Sequence, residues 1–117
     1  MNLCLCITSF GERLLDNLKL EKLLRDTLGM REIRKSWLDV VSEELKKQAL
    51  EVEKVENVCG VKFGIAKDHY NHASEIVKNV KSGGDILPII TEVEFARKEL
   101  RRNCKESLLN RVLEAIP

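Results

Sequence analysis

The sequence predicts an all-α domain, a four-helix arrangement with two long helices, and three observations carry that prediction. Residues 91–116 run without a glycine or proline. Residues 31–56 do the same and repeat apolar side chains in heptads. Hydrophobic residues make up 44% of the chain but aromatic residues only 4%, so the core is expected to be mainly Leu, Val and Ile. At 117 residues the chain is expected to form a single helical domain, residues 1–117, large enough to bury a core without a disulfide or metal staple. The alternative is a small α+β domain, with a minor two-stranded piece from residues 3–8 and 60–66 and a contribution from residues 86–90.

In chain order, Leu3, Leu5 and Ile7 alternate with Cys4, Cys6 and Thr8, the period of a short strand. Ser9 with Glu12 makes a helix start, and residues 12–28 read as the first helix. Its leucines, Leu14, Leu15, Leu18, Leu20, Leu23, Leu24 and Leu28, cover more than half the circumference. Gly29 is expected as the left-handed residue that ends it.

Residues 31–56 read as the second helix. Leu38, Val41, Leu45, Gln48, Val52 and Val55 form a heptad seam flanked by Trp37 and Ala49. Gln48 is its one polar member and is expected to reach solvent or a backbone group. A parallel self-pair would set Glu51 against Glu56, so the expected partner is an antiparallel helix of the same chain. Residues 57–66, with Gly60 and Gly64, read as a loop or short strand. Residues 67–81 read as the third helix, burying Tyr70, Ala73, Ile76, Val77 and Val80 and ended by Gly83 and Gly84. Residues 85–90 read as a connector around Pro88, with Ile86, Leu87, Ile89 and Ile90 covered.

Residues 91–116 read as the longest helix, begun by a Thr91–Glu94 capping box. Its apolar positions change side. Val93, Ala96, Leu100 and Cys104 make one stripe, while Leu108, Leu109, Val112, Leu113 and Ile116 centre about a third of a turn away by helical geometry. Either the helix breaks near Ser107 or its last turns face something different from its first.

Three functional readings follow. The surplus of apolar surface suggests a protein-interaction or assembly subunit, most simply a homodimer built on Leu109, Leu113 and Ile116. The cluster Arg97, Lys98, Arg101, Arg102 and Lys105 could follow a nucleic-acid backbone. No aromatic residue interleaves it for base stacking, and the net charge of +1 gives no general pull toward polyanions. Asp68, His69, His72 and Glu75 could present metal ligands from one helix, as in a metal-dependent enzyme, but they lack a matching ligand pair elsewhere in the sequence. The bland alternative makes the histidines structural and the carboxylates solvated.

No P-loop, G-x-G-x-x-G, G-x-S-x-G or H-E-x-x-H pattern occurs, and no cofactor is expected. No apolar run is long enough to span a membrane, and the apolar segment at residues 3–7 is too short for a signal-peptide core. The expected location is therefore cytoplasmic, with all four cysteines as buried thiols.

Overall fold

The heptad seam decides the architecture. The computed structural model describes Cys6 and residues 17–115, with side chains up to Arg102. Among the described residues there are four α-helices and no strand. They are α1 (Leu18–Leu28), α2 (Lys35–Cys59), α3 (Gly64–Ile76) and α4 (Leu87–Ala115), with short 3-10 turns at Val77–Asn79 and Gly83–Ile86. The alternation at residues 3–8 lies outside the described residues except for Cys6, whose backbone is helical. Residues 60–66 form no strand either, because α3 already begins at Gly64.

All six seam residues of α2 are buried: Leu38, Val41, Leu45, Gln48, Val52 and Val55. They meet Phe63, Ala66, Tyr70, Ala73 and Val77 around α3 and Ile89, Val93, Ala96 and Leu100 of α4. Each fully buried aliphatic side chain contributes roughly 1.5–3 kcal/mol, so this seam is the main source of stability. The partner of α2 is an antiparallel helix of the same chain, as the charge pattern suggested. Ser42 near the start of α2 donates to the Ser74 carbonyl near the end of α3 at 3.3 Å. At the other end Lys67 lies 3.6 Å from Glu56. Gly60 makes this turn possible by taking φ +68°, with its N–H bonded to the Glu56 carbonyl.

Helix α1 lies along α2 and α4. It buries only Leu20, Leu24 and Thr27, while Leu18 and Leu28 remain exposed. Thr27 accepts a 2.7 Å hydrogen bond from Trp37 Nε1. Gly29 does end α1, but with right-handed backbone (φ −82°) rather than the left-handed turn expected.

The connector before α4 is more helical than the sequence suggested. Ser82 and Asp85 form the capping box of a 3-10 turn, and α4 starts at Leu87 with Pro88 in its first turn. Proline is tolerated there because that N–H has no helical acceptor. Thr91 is therefore inside the helix, its hydroxyl donating to the Leu87 carbonyl at 3.1 Å. Ile86 and Ile89 are buried as expected, but Leu87 is exposed. Gly83 presses this turn onto the end of α1, its N–H donating to the Met30 carbonyl at 2.9 Å. A Cβ there would sit 2.4 Å from the Leu28 carbonyl oxygen, so here only glycine fits.

Helix α4 is unbroken through Ser107 to Ala115, which removes the broken-helix explanation of its shifting apolar side. Its Arg97 is level with Asn17, and through it with Gln48. From that level α4 continues roughly 27 Å and α2 only about 17 Å at 1.5 Å per residue. The end of α4 therefore runs about 10 Å beyond the turn between α2 and α3, on the same geometry.

Candidate functional site

The Asp68–Glu75 segment does carry a polar constellation, but with different members from those expected. His69 and His72 stand one turn apart on α3, on the side facing α4. Glu92 on α4 meets both: Oε2 takes His69 Nδ1, and Oε1 takes His72 Nδ1 at 3.1 Å. An ionised carboxylate only accepts, so each Nδ1 carries the hydrogen. The His69 ring also lies 5.5 Å from the Phe95 ring. Partial burial works to raise the Glu92 pKa, but the two imidazole hydrogen bonds outweigh it and hold the carboxyl below its ordinary value. Asp68 is exposed, and Glu75 pairs with Lys78 at 3.5 Å. Neither joins the histidines.

Glu92 is thus the residue from a second helix that sequence reasoning missed. It occupies the ground between the imidazoles as a hydrogen-bond acceptor. Among the described residues, no three His, Cys, Asp or Glu side chains are grouped to hold a metal ion.

A second polar cluster lies inside the bundle, where α1, α2, α3 and α4 meet. Gln48 is 1% exposed, so it does not reach solvent. Its Oε1 accepts from Asn17 Nδ2 at 2.8 Å. The same Asn17 amide donates to Glu44 Oε1 at 3.2 Å, and its Oδ1 caps α1 by accepting from the Leu20 N–H at 3.0 Å. The Asn17 carbonyl accepts from Arg97 Nη2 at 3.3 Å. One asparagine therefore ties the start of α1 to both α2 and α4. The Tyr70 hydroxyl lies beside Arg97 and Gln48 but in neither case with ordinary hydrogen-bond geometry. Burial pushes the Tyr70 phenol above its usual value, against the lowering effect of the Arg97 guanidinium.

These contacts revise the basic cluster. Arg97 turns inward, while Lys98, Arg101 and Arg102 are exposed. The Lys105 side chain lies outside the described residues, as do those of Leu109, Leu113 and Ile116. Phe95 is 49% exposed and shares the outer part of α4 with Lys98 and Arg102.

The cysteines depart from the expected thiols. Cys6 and Cys59 are joined by a disulfide, with Cα atoms 5.9 Å apart. Their separation of 53 residues gave no sequence cue to the pairing. Cys4 and the Cys104 side chain lie outside the described residues. No described helix is long and apolar enough to cross a membrane. The chain matches no protein-family model, no curated protein and no solved structure.

Proposed function

We propose that this chain is a helical assembly module that associates with its own copy through the distal part of α4. The observation that carries the reading is the continuity of α4 through Ser107. Its first turns give Val93, Ala96 and Leu100 to the core. In an unbroken helix the apolar positions Leu108, Leu109, Val112 and Leu113 then fall on another side by periodicity. A rotated apolar stripe at the end of a long helix is a common way to present a self-complementary surface, and a two-fold dimer is the simplest closed arrangement.

Sedimentation equilibrium tests the proposal. The unmodified protein is expected to show a concentration-dependent mass above 13.4 kDa, and Leu109→Glu with Leu113→Glu is expected to return it to the monomer. A concentration-independent mass of 13.4 kDa for the unmodified chain overturns the reading.

A further inference from the structure

We propose that the Cys6–Cys59 bond makes the docking of α1 depend on redox state, while the α2–α3–α4 core does not. Helix α1 has 11 residues, below the roughly 12–15 at which an isolated helix becomes even marginal in water. It buries three residues only, so it stays in place largely through what holds its ends. The C-terminal end has the Trp37–Thr27 bond and the close approach of Gly83. The N-terminal end has the Asn17 contacts and, further up the chain, the disulfide to the last residue of α2. That covalent closure spans 53 residues, long enough for a cross-link to restrict the unfolded chain strongly. The seam of α2 with α3 and α4 contains neither cysteine among its fully buried members.

The chemistry is ordinary exchange. A dithiol reductant attacks the part-exposed Cys59 sulfur and expels the Cys6 thiolate. Its second thiol then displaces the Cys59 thiolate, leaving the reductant as a disulfide. Closure is the reverse, with a disulfide oxidant accepting the two electrons. The bonded state is the one an oxidising compartment maintains.

Thiol mapping and native-state hydrogen exchange test the proposal on the full chain. Without reductant, Cys6 and Cys59 are expected to resist alkylation. With dithiothreitol, exchange is expected to rise on the order of tenfold or more across residues 18–28, while residues 41–55 and 66–77 keep their protection. Cys6→Ser with Cys59→Ser should reproduce that pattern in the absence of reductant, independently of the other two thiols. Alkylation of Cys6 and Cys59 before reduction overturns the proposal. So does unchanged exchange in α1, or loss of the α2–α3 hairpin in the reduced protein or the double variant. None of these readings depends on whether the chain is monomeric or dimeric.

Discussion

Two polar clusters hold α3 and α4 in place, and they are made from opposite materials. The inner one joins the Asn17 and Gln48 amides to Glu44 and Arg97, with Gln48 and Tyr70 almost fully out of water. The outer one joins two imidazoles to a carboxylate, with His72 60% and Glu92 20% exposed. A buried polar group left unpaired costs about 1–3 kcal/mol, so the inner contacts must all be present together. An exposed ion pair contributes about 0–1 kcal/mol, so the outer cluster can loosen without threatening the fold. The comparison separates a cluster that dictates packing from one that responds to solution conditions.

Removing Asn17 would break the inner cluster with the largest effect. Asn17→Ala deletes a helix cap worth about 1 kcal/mol and strands the Gln48 carbonyl oxygen at a further cost of roughly 1–3 kcal/mol. We expect a total loss of about 3 kcal/mol in urea denaturation, similar at pH 5.5 and pH 8. A loss below about 1 kcal/mol would show that these contacts do not act as a unit.

Glu92→Gln sharpens the comparison from the outer side, with an expected loss of about 1 kcal/mol at pH 7. The sign of its pH dependence follows from the lowered Glu92 pKa. A carboxyl depressed in the folded state stabilises above its unfolded value, near 4.5, and that contribution disappears as pH falls through the folded pKa. Wild type and variant should therefore converge in stability toward pH 3. An equal difference at pH 7 and pH 3 would remove charge from the account of this cluster.

The smallest effect belongs to Phe95→Ala. The ring touches His69 but is half in water, so the loss is expected within about 0.5 kcal/mol. A measured loss above about 1.5 kcal/mol would place Phe95 in a buried contact instead.

What was legible in the sequence follows the same division. The heptad seam could be read because a helix that buries one side repeats its apolar residues locally, and all six positions are buried. Gln48 stood out as the polar member, but its partner Asn17 lies 31 residues earlier and nothing local connects them. Glu92 was hidden for a similar reason. It becomes special only through the register of α4 against α3, more than 20 residues away from His69. Pro88 misled because a proline can open a helix as well as prevent one. The paired cysteines were misread because a single sequence shows the count of thiols but not which of them meet.

The contacts of Asn17 have a consequence in time. A ribosome delivers α1 first, yet the acceptors and donor that fix it come 27, 31 and 80 residues later. At roughly 5–20 residues per second the last of these, Arg97, follows Asn17 by about 4–16 seconds. The α2–α3 hairpin, closed by a turn of a few residues, is complete well before then. During that interval the helix made first is expected to be the one still waiting to dock, and the fold closes from its middle outward rather than from its beginning.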